Sequence, residues 1–409
     1  LPDQSLMLSG MAENIDFKDV FLVKLRSAGV VDSTFGLNGR VIRSLSPKDD
    51  NAWSMALRTD GRILVAGDTR ADGAFYTDAT LLQFNASGSK DSNFGDDGVG
   101  LAYLGTSEDK AHALLLLPGG KLFLGGQTYN QEGFSNWAMV QYQANGMPDA
   151  AFGVQGVKTQ NFPPATDAIL NALALRPDGK VLAAGSIGNK AAMALLTPDG
   201  ALDNTFGQGG KTLVEGIKGA SFSAAEALTD NKILAAGYEY DDNNLPQALL
   251  MRFQADGLPD ASFGILGKVV SPGWYWSQLK VLPDGKILTV GSSTATPPFI
   301  SRFRVSRFHP DGSLDASFGQ SGNYEYTGPS ARMGSSLAIQ KDGKIVVSGN
   351  DSAQFMVFRL TVNGQPDPDF GQAGVVMIQK GASPQNFEAV LVQKDQRILL
   401  FGGQGLNVT

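Results

Sequence analysis

Short apolar stretches that alternate with polar positions, separated by tight turns, run along the whole chain. Trp53–Leu57 alternates as a half-buried strand does, and Ile63–Ala66 follows it after an Asp-Gly turn, the strongest short-range signal for a hairpin. Thr80–Phe84 is a third such stretch, and Arg40–Ser44 is an example of a fourth. We name these predicted strands a, b, c and d. No stretch shows helical periodicity, so the pattern predicts an all-β fold.

The loop between strands c and d carries a signature, Asp-x-x-Phe-Gly-x-x-Gly, which recurs seven times. A further Gly lies three residues before each Asp, and successive copies are 52 to 59 residues apart. The Asp and Phe residues of the copies are Asp32 and Phe35, Asp91 and Phe94, Asp149 and Phe152, Asp203 and Phe206, Asp260 and Phe263, Asp315 and Phe318, and Asp367 and Phe370. This regularity identifies an internal repeat of one supersecondary unit.

Four short antiparallel strands per repeat are typical of one propeller blade. We therefore predict a seven-bladed β-propeller of four-stranded antiparallel blades, forming a single domain over residues 1–409. Leu1–Gly10 copies the strand-b hairpin, so strand b occurs eight times. We expect C-terminal strands a and b to pair with N-terminal strands c and d in one shared blade, which leaves Leu6–Ser9 or Ile398–Phe401 surplus. An eight-bladed ring that lacks strands at both ends is the alternative.

The repeated residues have a structural interpretation. An Asp side chain can hold a turn by accepting a backbone N–H two residues on, and Gly permits positive φ or close approach. The repeated Phe is expected to fill the space between neighbouring blades. The alternative is a ring of seven Asp residues that binds a metal or a substrate.

Asp284–Gly291 followed by Asp311–Gly319 shows the full repeat, Asp-Gly-Lys-Ile-Leu-x-x-Gly and then Asp-Gly-Ser-Leu-Asp-x-x-Phe-Gly. This pattern resembles the delta-60 repeat family of bacterial proteins, and the resemblance extends over essentially the whole chain. It implies a β-propeller in an exported protein, extracellular, on the cell surface or in the periplasm, often within a longer chain. It implies no activity, because the family is defined by a repeat.

Composition narrows the classes of partner. The net charge of −7 disfavours nucleic acid, and no apolar run is long enough to span a membrane. The absence of cysteine excludes disulfides and thiolate metal sites. Gly-x-Ser-x-Gly, His-Glu-x-x-His and phosphate-binding loops are missing from the sequence, and its two histidines, His112 and His309, lie in different repeats.

The irregular b–c and d–a loops emerge on one face, opposite the regular hairpins, and variable loops on a rigid scaffold favour binding there. One position at the entry to strand a diverges between repeats, and it is occupied by Trp53, His112, Asn171, Ser223, Ser277, Ser335 and Glu388. The candidate ligand- or partner-binding residues are Trp53, His112, Tyr129, Trp137, Tyr238, Tyr240, Trp274, Tyr275, Trp276 and Arg302. For the aromatic run Trp274–Trp276, burial at the top of the blade is the alternative.

The acidic loop around Asp241 and Asp242 has enough oxygen ligands for Ca²⁺ but lacks EF-hand spacing. A solvated loop is the favoured interpretation, and no cofactor is expected. We expect a non-enzymatic binding or scaffold propeller that recognises a protein or glycan. A carbohydrate-active lyase or hydrolase using the central channel is one alternative, for which paired carboxylates would be diagnostic. A purely architectural subunit of a surface or secretion-related assembly is the other.

Overall fold

A computed structural model shows an all-β propeller. It describes residues 7–13, 18–26, 29–46, 48, 50–70, 76–102, 104, 108–164, 166–215, 218–293, 302–326, 333–350, 354–379, 387–392 and 398–402. These residues form 29 β-strands and one 3₁₀ turn at Pro118–Gly120. Within them, no helix is long and apolar enough to span a membrane.

The first three strands and the first four-stranded blade come from the N-terminal part of the chain. The strands are β1 (Met7–Glu13), β2 (Lys18–Val23), β3 (Arg40–Arg43), β4 (Asp50–Leu57), β5 (Ile63–Thr69), β6 (Asp78–Phe84) and β7 (Val99–Ala102). β4 to β7 pair in sequence order as one antiparallel blade, and they correspond to predicted strands a to d.

Five further blades repeat this order. Their strands are β8 (Asp109–Leu116), β9 (Leu122–Tyr129), β10 (Ser135–Tyr142) and β11 (Val157–Gln160); β12 (Ala168–Leu175), β13 (Val181–Ile187), β14 (Lys190–Leu196) and β15 (Lys211–Glu215); β16 (Ala220–Ala227), β17 (Ile233–Tyr240), β18 (Pro246–Phe253) and β19 (Lys268–Pro272); β20 (Trp274–Val281), β21 (Ile287–Ser293), β22 (Phe303–Phe308) and β23 (Asn323–Tyr326); and β24 (Met333–Ile339), β25 (Ile345–Asn350), β26 (Gln354–Leu360) and β27 (Val375–Gln379).

The prediction of seven four-stranded antiparallel blades is wrong, because the described residues form six. The remaining sheet has five strands, in the order β28 (Phe387–Val392), β29 (Ile398–Gly402), β1, β2, β3. Both strand-b-like segments are used in it: β29 and β1 pair in parallel, with Met7 opposite Leu399. Neither segment is surplus, since a parallel pair lets the two copies of strand b lie side by side. Residues 1–6 of the predicted hairpin copy lie outside the described residues.

The first strand of each sheet lies at the inside of the ring. Successive first strands contact one another from β4 through β8, β12, β16, β20 and β24 to β28, and β28 contacts β4. The apolar core lies between neighbouring sheets: one cluster joins Leu182 and Met193 of one blade to Phe222 and Leu249 of the next. This arrangement leaves an axial channel whose wall is made by the first strands.

The repeated Phe and Gly form the contact between neighbouring sheets in the c–d loops. Gly88 packs against Phe35 of the preceding loop, and a Cβ there would lie 2.7 Å from the ring. Its φ of +88° is also unfavourable for other residues. The same contact joins Gly312 to Phe263. The Phe is therefore a plug that the next loop covers closely.

Each repeated Asp holds its own loop. Asp203 Oδ1 accepts the backbone N–H of Thr205 at 3.0 Å, and its Oδ2 accepts a hydrogen bond from Lys180 Nζ at 2.6 Å. The equivalent ion pairs are Asp91–Arg62, Asp149–Lys121, Asp260–Lys232, Asp315–Lys286 and Asp367–Lys344. Asp32 pairs instead with Lys24, which directly follows β2 in its own sheet. Since every one of these carboxylates is bound within its own blade, the structure gives no support to a ring of Asp residues that binds metal or substrate.

Candidate functional site

A β-bulge interrupts the first strand of every sheet at the position where the repeat diverges. In β4 the register against β5 shifts between Ala52 and Ser54, which makes Trp53 the extra residue. The bulged residues of the other sheets are His112, Asn171, Ser223, Ser277, Ser335 and Glu388. A bulge redirects a side chain locally, so the same backbone feature places each variable residue.

The glycine that ends each strand-b motif makes room for this bulge. A Cβ on Gly67 would overlap the carbonyl oxygen of Asn51 and would lie 2.9 Å from Cα of Ala52. Gly67 has no positive φ, so the constraint is steric rather than conformational. Gly126, Gly185, Gly237 and Gly291 meet the equivalent carbonyl oxygens in their own blades. The conserved spacing within the repeat thus encodes the bulge.

The bulged side chains converge on the axial channel. Trp53, His112, Asn171, Ser223, Ser277 and Ser335, which we call the bulge ring, line one cavity of about 460 Å³. All six are half-buried. The bulge lies near the start of each first strand, so this cavity faces the b–c and d–a loops. The side chain of Glu388, at the seventh position, lies outside the described residues.

Trp53 is fixed by a buried carboxylate. Its Nε1 donates to Asp68 Oδ1, and Asn51 Nδ2 donates to Asp68 Oδ2 at 2.7 Å. Burial raises the pKa of Asp68, which these two hydrogen bonds partly offset. The ring of Trp53 meets His112 edge-to-face, with 6.1 Å between centroids. An indole held in this way is a rigid apolar surface in the channel wall.

His112 and Asn171 each bond to the following blade. His112 Nδ1 lies 3.1 Å from the carbonyl oxygen of Leu170, so Nδ1 is the donor and Nε2 is the acceptor of the neutral ring. Burial lowers the pKa of His112, which keeps it neutral at pH 7. Asn171 Nδ2 donates to the carbonyl oxygen of Phe222 at 3.0 Å. These two contacts link three neighbouring blades and fix both side chains.

Deeper in the channel, Glu226 and Lys280 form an ion pair. Glu226 Oε1 accepts a hydrogen bond from Lys280 Nζ, and Oε2 accepts the backbone N–H of Val281 at 2.8 Å. Both side chains also line a second cavity of about 730 Å³ toward the hairpin face. We call the cavity lined by the bulge ring the upper cavity. Among the described residues that line it, Glu226 is the one carboxylate, and both of its oxygens accept the hydrogen bonds just described.

Several candidates from the sequence are structural. Trp137 is fully buried, donates to the carbonyl oxygen of Ser186 at 3.2 Å and packs edge-to-face on Phe162. Trp274 and Trp276 are also buried, and Arg304 lies over the Trp274 ring at 3.9 Å. Burial removes these three indoles from the candidate binding surface. For Trp274 and Trp276 it agrees with the alternative of packing at the blade top.

The other candidates are not part of the bulge ring. Tyr129 is half-buried, and its hydroxyl accepts a hydrogen bond from Gln127 Nε2 at 3.2 Å. Arg302 is exposed, and its backbone N–H donates to Ser293 Oγ at 2.9 Å. A cluster of three tyrosines lies at the same end of the channel as the bulge ring, and it consists of Tyr238, Tyr240 and Tyr275.

Asp241 holds a turn: its Oδ1 accepts the backbone N–H groups of Asn243 and Leu245 at 2.9 and 2.8 Å. Asp242 is exposed. Across the part of the chain that the structure describes, no three His, Cys, Asp or Glu side chains gather as metal ligands would. The alternative of a Ca²⁺ site at this loop, which the sequence disfavours, stays untested.

A model of a protein family, described as a β-propeller domain of unknown function (DUF5122), matches six segments of the chain. They are residues 58–94, 117–152, 176–206, 228–263, 282–318 and 340–370, about half of the sequence. The chain belongs to the DUF5122 β-propeller family. This confirms the expected propeller repeat family, while the narrower delta-60 assignment stays a prediction. Each DUF5122 segment begins five residues after a residue of the bulge ring, so the whole ring lies outside the matched repeat.

Solved structures resemble this DUF5122 propeller only distantly. Drosophila Semaphorin 1b has 10% identity and a TM-score of 0.49 over 87% of this chain and 84% of its own. A glucose dehydrogenase has 13% identity and a TM-score of 0.42, over 88% and 96% of the two chains. An ulvan lyase has 11% identity and a TM-score of 0.44, over 82% and 84%. No curated protein matches the chain.

Proposed function

We propose that this chain is a non-enzymatic binding propeller, exported to the surface or surroundings of a bacterium, whose partner inserts a segment into the channel mouth. The observation that carries the proposal is the bulge ring. The repeated residues build the blades, whereas the residue that differs from blade to blade is turned by a bulge into a shared cavity. A rigid scaffold with one variable ring is the arrangement expected of a recognition site.

The chemistry of the bulge ring suits binding. Trp53 supplies an apolar face, and His112 supplies an acceptor at Nε2. Three serines occupy the other side of the ring. A few oriented polar groups beside an aromatic surface are typical of ligand pockets. The partner is a protein or a glycan.

A hydrolase or lyase is the alternative of a different class. Glycoside hydrolysis uses two carboxyl groups about 5 to 9.5 Å apart. The carboxylate that the described residues bring to the upper cavity, Glu226, is committed to Lys280 and to a backbone N–H. This engagement favours binding over glycoside hydrolysis.

The test is to fill the cavity without disturbing the blade. Trp53 already places an indole at a bulge, so Ser277→Trp introduces the same side chain at an equivalent backbone position. Wild type and variant would be applied to arrays of immobilised oligosaccharides and of short peptides. Thr159→Trp, on an exposed outer strand, is the matched control.

We expect the wild type and Thr159→Trp to retain at least one class of probe and Ser277→Trp to lose it, with both variants melting as the wild type does. Equal retention by wild type and Ser277→Trp, or no retention by the wild type, would refute binding at the channel mouth.

A further inference from the structure

Three tyrosines from two neighbouring blades form one cluster at the end of the channel that faces the b–c and d–a loops. Tyr238 and Tyr240 end β17, and Tyr275 follows the first residue of β20. Their ring centroids are 5.1 to 6.3 Å apart in edge-to-face arrangements, and the hydroxyls of Tyr240 and Tyr275 lie 3.2 Å apart. We propose that this cluster is a binding subsite for a neutral saccharide, and that the saccharide also occupies the bulge ring.

The cluster adjoins the bulge ring through the backbone. Tyr275 precedes Ser277 of the ring by two residues on the same strand. Tyr238 is paired with Ser221, whose Oγ accepts a hydrogen bond from Asn171 of the ring at 3.2 Å. The tyrosines therefore border the serine side of the ring, where the bulged side chains are smallest.

The rings are preorganised. All three are half-buried, so each keeps part of its surface accessible. Edge-to-face packing holds each ring in place, which reduces the entropy lost when a ligand binds. Burial raises the pKa of both Tyr238 and Tyr275, so their hydroxyls stay protonated at neutral pH and can donate hydrogen bonds. A tyrosine offers an apolar face to the C–H groups of a pyranose and a polar hydroxyl to its oxygens.

The surrounding charge favours a neutral sugar over an anionic one. Lys280, the cation that the described residues bring to the upper cavity, is paired with Glu226. Among the described side chains nearer the mouth, the polar groups are neutral, including Ser223, Ser277 and Asn171. A chain with a net charge of −7 also repels uronic and sulfated polymers.

The experiment compares tyrosine variants in binding to defined sugars. Neutral hexose oligosaccharides, and a sulfated polysaccharide as the anionic probe, would be titrated into the full chain by calorimetry. We expect Tyr275→Ala to weaken binding of the neutral oligosaccharide about tenfold or more, since the ring face is lost. Tyr275→Phe keeps the face and should weaken binding only about threefold, because it loses one hydroxyl. Tyr76→Ala, an exposed tyrosine on another blade, should leave binding unchanged.

Other outcomes would overturn the inference. They are failure of the wild type to bind neutral oligosaccharides, preferential binding of the sulfated polymer or of peptides, and equal affinities of wild type and Tyr275→Ala. The inference rests on the proposed function, but the two can fail separately. If Ser277→Trp abolishes capture of a peptide or an anionic probe that the tyrosine variants still bind, the channel site stands and the saccharide subsite does not. If Ser277→Trp changes nothing, the channel site itself is wrong.

Discussion

Replacing Gly67 with Ala tests how the bulge is encoded. The new Cβ would lie 2.8 Å from the carbonyl carbon of Asn51 and 2.9 Å from Cα of Ala52, and it would overlap the carbonyl oxygen of Asn51. Carbon atoms prefer separations of about 3.5 to 4.0 Å, so β4 must move away from β5 by close to 1 Å. Overpacking costs about 1 to 3 kcal/mol, and one weakened ladder hydrogen bond adds about 1 kcal/mol. We therefore expect Gly67→Ala to lower the free energy of unfolding by about 3 kcal/mol.

The assay is urea unfolding followed by circular dichroism, with Gly179→Ala as the matched control. Gly179 lies at a hairpin turn with a φ of +83°, and a Cβ there meets no heavy atom within 4 Å. Its substitution carries only the left-handed backbone penalty of about 1 kcal/mol. Because the bulge also directs Trp53, Gly67→Ala should shift the tryptophan emission, whereas Gly179→Ala should not. A loss of stability in Gly67→Ala no larger than in Gly179→Ala, with unchanged emission, would refute the steric role of this glycine.

Three further substitutions test the structural roles. Phe263→Ala should lower the free energy of unfolding by about 3 to 5 kcal/mol, measured by urea titration, because it empties the space that Gly312 covers. The hydrogen bond from Lys180 holds the pKa of Asp203 at about 2, below its ordinary 3.8. The stabilisation by the Asp203–Lys180 pair is therefore complete above about pH 4 and is lost as the pH falls toward 2. Asp203→Asn should lower the free energy of unfolding at pH 7 and reduce its dependence on pH below about 4. Trp276→Ala should destabilise the blade while leaving the affinity of the folded protein for its probe within about twofold, since Trp276 is buried; a tenfold loss of affinity by calorimetry would contradict that assignment.

The sequence predicts much of the fold because its signals are local and repeated. The Asp-Gly hairpins and alternating stretches place strands such as β4 and β5 within a few residues of their observed bounds. The sequence does not predict the five-stranded sheet, because the contact that closes it is between β1 and β29, at opposite ends of the chain. A parallel pair between two copies of strand b has no local signature, and counting strands alone suggested that one copy was surplus.

The sequence likewise predicts some parts of the candidate site and not others. The sequence identifies the position of Trp53 and His112, because this position diverges between repeats. It does not show that a bulge turns these side chains into the channel. The glycine after strand b was a usable signal, since it recurs without a hairpin turn to explain it. The sequence does not show whether Trp274 and Trp276 are exposed, because an aromatic run at a strand end is equally typical of a buried packing contact and of a binding surface. The tyrosine cluster depends on contact between blades, which local patterns do not report.

The most direct measurement of the central claim uses the tryptophan emission. Trp137, Trp274 and Trp276 are buried in the blades, so Trp53 is the indole that faces the channel. A neutral oligosaccharide that the wild type retains on the array would be titrated while emission is recorded for the wild type and for Trp53→Phe. We predict a saturable change in the wild type, with the midpoint found by calorimetry, and no change in Trp53→Phe. Binding by calorimetry with an unaltered emission in the wild type would place the ligand away from the bulge ring and contradict the claim.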